Sequence, residues 1–359
     1  MTVTPFPDLL PWAVLPWVAL LWVALAALSA LVVRGMVGLA VLDRPGPRKA
    51  HARPVPKGGG VGVVAAFLVG LAALHGLRDP SPFADSYAPG VVLAAAAVAA
   101  VAFADDVLDW PFTAKLGAQL GAAALAAGSG LWVRRVDVPG LGAVELGWLG
   151  VPLTLAWIVF ATNAVNFIDG LNGLAAGTCL VACACLGAIA AAHGGGFILL
   201  ACALLTAGLA GFLPFNYQRA RIFMGDVGSQ FCGFLLAALG VAAARLPGVE
   251  LAVLLVPMLL AGVLFDVAFT LARRALAGER LTQPHRGHLY QVAHRSGVNP
   301  AAIAAVHWGF AAWGGACCWL LLAAPGPAKP LAALLALLPQ LLWLAWVARR
   351  ARRAALGRW

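Results

Sequence analysis

Charged residues are so sparse along this chain that they act as punctuation between apolar blocks. Uncharged runs occupy 9–33, 58–77, 86–104, 116–133, 146–168, 170–218, 227–244, 251–265, 296–328 and 330–348. A helix needs about 20 apolar residues to cross a hydrocarbon core of ~30 Å, so most of these runs are one span long. The run 170–218 is too long and is divided at His193-Gly194-Gly195-Gly196. The run at 251–265 is short, and extending it to Leu271 takes Asp266 into the span. Eleven transmembrane helices are therefore expected in one domain, 1–359, with no soluble module and no repeat of fixed period. The fold class is an all-α polytopic membrane protein. No Lys or Arg precedes the first run, which fits a retained helix better than a cleaved signal peptide.

Composition agrees. The 359 residues are 62% hydrophobic and 11% charged, against roughly 25% charged in soluble domains. The net charge of +10 comes from basic residues scattered between apolar runs, which argues against nucleic acid as a partner. Basic loops are retained on the cytoplasmic side. With the N-terminus outside and the C-terminus cytoplasmic, the cytoplasmic segments 34–58, 105–115, 169–173, 216–227, 272–301 and 348–359 carry 19 of the 24 Lys and Arg. Only the pair Arg134-Arg135 resists this bias. All seven cysteines lie in apolar runs without metal-ligand spacing and read as small packing residues.

Three polar clusters fall at the cytoplasmic ends of spans. Asp105, Asp106 and Asp109 close the third span. If the helix continues through them, they share one face and sit where the helix dipole disfavours anions. The only basic side chain close in sequence is Lys115. A divalent cation, Mg²⁺ or Mn²⁺ given oxygen-only ligands, would compensate them. Stop-transfer charges in a solvated loop are an equal alternative on this stretch alone. Asn163, Asn166 and Asp169 end the fifth span at one-turn spacing, a costly set at membrane depth. Gly225-Asp226-Val227-Gly228-Ser229 opens the eighth span after Arg219 and Arg221. Backbone N–H groups at such a helix start favour a phosphate, and a metal shared with Asp226 would reconcile carboxylate and anion. Taken alone, the stretch reads better as a plain helix cap, with Asp226 and Ser229 as capping residues.

Basic loops complete the set. Residues 43–60 offer Arg48, Lys49, His51, Arg53 and Lys57, and 273–297 offer His285, Arg286, His288, His294 and Arg295. Attraction to anionic lipid explains part of this, but phosphate contact suits His285, Arg286 and His288 better than zinc, for which no Cys partner exists. His75, His193 and His307 read as incidental.

In this order the motifs resemble the polyprenyl-phosphate N-acetylhexosamine-1-phosphate transferases, which include O-antigen-initiating enzymes and the phospho-MurNAc-pentapeptide translocase. The resemblance rests on Arg48-Lys49-Ala50-His51, DDxxD at Asp105-Asp106-Asp109, NxxNxxDGxxGL at 163–174, FMGDxGS at 223–229 and HRxHxYQ from His285 to Gln291. The DDxxD form resembles the O-antigen and teichoic-acid branches, and the late His loop is similar to that of the O-antigen-initiating enzymes. The resemblance implies transfer of a sugar-1-phosphate from a UDP-sugar to undecaprenyl phosphate in the bacterial inner membrane, with Mg²⁺ and release of UMP. It implies metal ligation by Asp226, Asp106 and Asn166, and a base or orienting role for Asp105. Lys49, His51, Asp109, Lys115, Asn163, Asp169, Arg219, His285, Arg286 and His288 are expected around nucleotide and phosphates. Two rival functions fit less well. A CDP-alcohol phosphotransferase needs DGxxAR where 169–174 reads DGLNGL, and a transporter would show midplane charges and interrupted helices, neither legible here. The identity of the sugar and the oligomeric state, a homodimer included, are left open.

Overall fold

The computed structural model describes residues 15–39, 42–43, 54–75, 85–108, 110–138, 142–280, 283 and 285–357. Lys49, His51 and Asp109 lie outside the described residues, as do Arg48 and Arg53.

Each apolar run carries a helix. In chain order these are α1 (Leu15–Leu39), α2 (Gly60–His75), α3 (Ala88–Leu108), α4 (Phe112–Gly128), α5 (Gly150–Ile168), α6 (Leu174–Ala192), α7 (Gly196–Asn216) and α8 (Gly225–Ala243). Then follow α9 (Leu255–Leu259), α10 (Ala261–Leu276), a short α11 (Leu289–Arg295), α12 (Pro300–Ala323), α13 (Lys329–Leu335) and α14 (Leu338–Arg353). Among the described residues eight helical stretches are long and apolar enough to cross a membrane, and the bent pair α9–α10 makes a ninth. The helices α2 and α4, of 16 and 17 residues, are shorter.

Two features differ from the expectation. The α9–α10 segment is an interrupted helix, bent by 76° at Leu260. Pro257, within α9, withholds a backbone donor just before the bend, and a proline near a sharp bend is a common cause. The fold also contains two antiparallel ladders. Leu42–Asp43 (β1) pairs with Val55–Pro56 (β2), and Arg135–Val138 (β3) with Gly142–Glu145 (β4). The alternation Val136, Asp137, Val138 before Pro139-Gly140 is a hairpin signal, overlooked when only charges divide the chain. All seven cysteines are free.

The helix α8 sits at the centre, against α2, α3 and α5, with nearly every residue buried. Lipid tails are as apolar as leucine, so helices associate here through close backbone approach at small residues. A Cβ on Gly60 would lie 2.2 Å from Gly228 Cα, so α2 and α8 touch backbone to backbone. The loop before α2 is stitched to the start of α8. Phe223 N–H donates to Pro56 O (2.8 Å), Gly59 N–H to Phe223 O (2.9 Å) and Gly60 N–H to Met224 O (2.8 Å). At this end of the bundle α3 and α5 finish while α2, α4, α6 and α8 begin, which gathers their polar ends.

Candidate active site

Two lysines answer the charge problem posed by the aspartates. Asp105 and Asp106, at the end of α3, are 4% and 8% exposed, too buried for stop-transfer charges in a solvated loop. Lys115 in the first turn of α4 reaches Asp105 Oδ2 at 2.6 Å and Asp226 Oδ2 at 3.5 Å. Lys57, delivered by the stitched loop before α2, reaches Asp106 Oδ1 at 3.2 Å. Backbone donors supply the rest: Trp110 N–H to Asp105 Oδ1 (2.8 Å) and Val227 N–H to Asp106 Oδ2 (3.2 Å). A carboxylate at the start of α8 is favoured by the helix dipole, and Asp226 occupies that first turn. Gly225 takes φ +75°, and a Cβ there would lie 2.7 Å from Asp106 Oδ2, so glycine lets the two carboxylate-bearing segments meet. The side chains of Asp105 and Asn166 both act on the Asp226 carboxylate.

Asp105, Asp106, Lys115, Asn166 and Asp226 therefore converge, joined by Lys57, which the sequence places only in a basic loop. Asn163 does not join them directly. Its amide donates to Val159 O (2.8 Å) and Gln119 Oε1 (2.6 Å), Gln119 donates to Gln230 Oε1 (2.9 Å), and Gln230 donates to Asp226 Oδ2 (2.9 Å). This chain of amides from α5 through α4 and α8 ends on the carboxylate. Gln119 and Gln230 carry no charge and stand in apolar runs, so charge punctuation passed over both.

The histidine loop packs beside the end of α5. Tyr290 Oη donates to Phe167 O (2.8 Å), and the His288 ring lies 6.0 Å from the Phe167 ring and 4.8 Å from that of His285. Asp169 caps α5 close enough to act on the Tyr290 hydroxyl, whose pKa rises through burial, then through Asp266 and Asp169. Arg286 lies in this loop, its carbonyl accepting from Arg295 Nη1 at 3.0 Å. Arg219 is exposed on the segment between α7 and α8 and makes no ion pair among the described residues. His307 is internal to α12, its Nδ1 3.0 Å from Ile303 O.

Burial, reinforced by His288, Arg274 and Arg273, pulls His285 from its ordinary 6.5 down to about 4. Its Nδ1 accepts from Gly287 N–H at 3.2 Å, so the neutral ring carries its proton on Nε2, a donor to an anion without a cationic charge. An unfolded chain would protonate this histidine near 6.5 while the folded one stays neutral to about 4. Its contribution to stability is therefore intact above pH 6.5 and is lost as pH falls from there toward 4. Melting of the detergent-solubilised protein across that window should fall less steeply for His285→Gln than for the wild type. Equal slopes would show that His285 titrates normally.

Among the described residues no three His, Cys, Asp or Glu side chains form a metal cluster by themselves. Asp226 and Asp106 with the Asn166 amide supply an oxygen-only set, which suits Mg²⁺, an ion usually bound by one or two carboxylates with waters and substrate phosphates.

The chain is similar in sequence to known proteins. Residues 88–244 match the family model described as Glycosyl transferase family 4. The chain is 31% identical over 280 residues to a probable undecaprenyl-phosphate N-acetylglucosaminyl 1-phosphate transferase of Bacillus subtilis, covering 76% of each chain. It is 32% identical over 286 residues to a decaprenyl-phosphate N-acetylglucosaminephosphotransferase of Mycobacterium tuberculosis, 71% of this chain and 70% of the relative. A shorter stretch of 104 residues, 29% of this chain and 30% of the relative, is 45% identical to a phospho-N-acetylmuramoyl-pentapeptide-transferase of Synechococcus.

Proposed function

The chain belongs to the polyprenyl-phosphate N-acetylhexosamine-1-phosphate transferases of glycosyl transferase family 4, and on that footing we propose that it moves N-acetylglucosamine-1-phosphate from a UDP-sugar onto undecaprenyl phosphate. The product would be undecaprenyl-diphospho-sugar, with UMP released, at the cytoplasmic face of a bacterial inner membrane. Its place would be the first membrane step of an O-antigen or another cell-envelope polysaccharide. The choice of N-acetylglucosamine is supported by the names of the Bacillus and Mycobacterium relatives.

The observation that carries this reading is the convergence of Asp105, Asp106 and Asp226 with Lys57, Lys115 and Asn166 at one end of an apolar bundle. In the reaction a phosphate oxygen of the lipid attacks the sugar-bearing phosphorus. The diphosphate bond breaks, and UMP leaves with the bridging oxygen. Such chemistry depends mainly on positioning and charge neutralisation. Lys57 and Lys115 are placed to offset substrate phosphates once these displace water beside the aspartates. Asp105, fixed by Lys115 and the Trp110 N–H, orients the lipid phosphate. That phosphate is already largely dianionic near neutrality, with a second pKa of about 6, so direct attack is favoured over an aspartyl intermediate. Mg²⁺ or Mn²⁺ held by Asp226, Asp106 and Asn166 would neutralise the diphosphate of the donor. Neutral His285 supplies an Nε2–H donor, and Arg286 a charge, on the neighbouring loop.

The test uses membranes containing the full chain, labelled UDP-sugars and undecaprenyl phosphate, with and without EDTA. UMP release should require both the lipid phosphate and a divalent cation, with UDP-N-acetylglucosamine the preferred donor. Lipid-independent UMP release, or none from any UDP-sugar, would overturn the proposal. Transport is disfavoured because Asp105, Asp106, Asp226, Lys57 and Lys115 gather at one end of the helices, even though α9–α10 is interrupted.

A further inference from the structure

The function proposed above makes no use of Asp266, although it is one of the most elaborately held side chains in the molecule. Asp266 lies in α10, is 1% exposed, and faces the start of α11. Its Oδ1 accepts from Leu289 N–H at 2.9 Å and from Thr270 Oγ1 at 3.2 Å, and lies 3.1 Å from His288 Nδ1. Its Oδ2 accepts from Tyr290 N–H at 3.1 Å. A buried carboxylate must be paired and hydrogen-bonded, and here a membrane helix meets that need with the first turn of a loop helix.

The bond to His288 does more than cap α11. A carboxylate already accepting from two backbone N–H groups offers only lone pairs, so in its bond to Asp266 the His288 Nδ1 carries the ring proton, in preference to accepting from the Gln291 N–H that the side chain also meets in the capping box. Nε2 is then the ring's only remaining proton site. This tautomer follows from the hydrogen-bond partners. It is opposite to that of His285, whose Nδ1 accepts from Gly287 N–H. Two neighbouring histidines, their rings 4.8 Å apart, are thus wired differently, one presenting Nε2–H as a donor and the other a bare Nε2 as an acceptor. The pairing of a histidine with a carboxylate on its far nitrogen is a general means of fixing both ring orientation and basicity.

We propose that Asp266 is a positioning residue that acts through His288, locking its Nδ1–H tautomer so that Nε2 is presented to the phosphate-bearing substrate beside the end of α5. The inference rests on the proposed phosphosugar transfer and on His288 contributing to it. Tyr290 fixes the distance, since its backbone is held by Asp266 and its hydroxyl by Phe167 O. Charged and titratable groups around the pair are His285 on the same loop, Arg273 and Arg274 on α10, Glu279 after it, Asp169 at the end of α5 and His307 on α12.

The experiment is a double-mutant cycle on full-length protein in membranes. Asp266→Asn keeps the shape but removes the charge, and should lower kcat/KM at least about tenfold, as loss of a carboxylate partner to a functional histidine commonly does. In a His288→Gln background the same change should cost little further activity. If Asp266 merely anchors α11, its loss would instead multiply with that of His288→Gln and track the fall in melting temperature. A measurement on the wild type covers the case in which Asp266→Asn fails to accumulate. In ¹⁵N-histidine spectra, the signal that disappears in His288→Gln should show a protonated Nδ1. A bare Nδ1 with a protonated Nε2 overturns the proposal. Full activity of His288→Gln would also overturn it, while wild-type turnover would leave the transferase reading standing.

Discussion

Asp226→Asn is expected to abolish turnover, by about 10²- to 10³-fold or more, while the protein accumulates as the wild type does. The side chain is where three arrangements end: Lys115 Nζ at 3.5 Å, the Gln230 amide at 2.9 Å, and the Asp105 and Asn166 groups alongside. An asparagine can still accept from Gln230 through its oxygen, so the packing of α8 should hold. It cannot supply the anion that offsets Lys115 or that would ligate Mg²⁺. The readout is lipid-dependent UMP release over a range of Mg²⁺ concentrations, alongside quantitation of folded protein. Substantial activity at ordinary Mg²⁺ would move the cation away from this carboxylate and leave Asp106 as the principal ligand.

Gly60→Val should be nearly as damaging by a different route. The added side chain would begin 2.2 Å from Gly228 Cα and 2.3 Å from Gly228 N, both backbone atoms that cannot swing aside. Overpacking of this kind typically costs about 1–3 kcal/mol, and more where nothing yields. The helices α2 and α8 must separate, and with them goes the stitching that carries Lys57 to Asp106. Both melting temperature and turnover should therefore fall. Gly117→Ala is the control, because a Cβ there meets nothing within 4 Å and alanine favours the helix by up to about 1 kcal/mol. A Gly60→Val protein with normal activity would mean that Lys57 is not needed where the structure places it.

How much of this was legible in the sequence depended on the distance over which each contact acts. The helices were legible because a run of uncharged residues is a local property, and Asp105, Asp106 and Asp226 stood out because carboxylates at the ends of apolar runs demand a reason. Their partner Lys57 could not be chosen from a loop of five basic residues, since what selects it is the backbone docking of 56–60 on 223–224. Gln119 and Gln230 were invisible to a reading that counted only charges. In the sequence Asp266 bears only on the length of a span, whereas a carboxylate inside an apolar stretch, one turn from Thr270, is itself a signal of a partner elsewhere. The bend at Leu260 and the 135–145 hairpin each carried a local mark, Pro257 and Pro139-Gly140, that the apolar runs overshadowed.

The backbone bond from Val227 to Asp106 spans 121 positions of the chain, and this has a consequence for biogenesis. While the nascent polypeptide leaves the ribosome, Asp105 and Asp106 reach the translocon long before the segment that completes their surroundings exists. Until then Lys57 and Lys115 are the cations at hand to shield them. Enzymatic competence should consequently arrive late in synthesis, only after α8 has been threaded into place, so that chains stalled earlier are inert toward a polyprenyl phosphate.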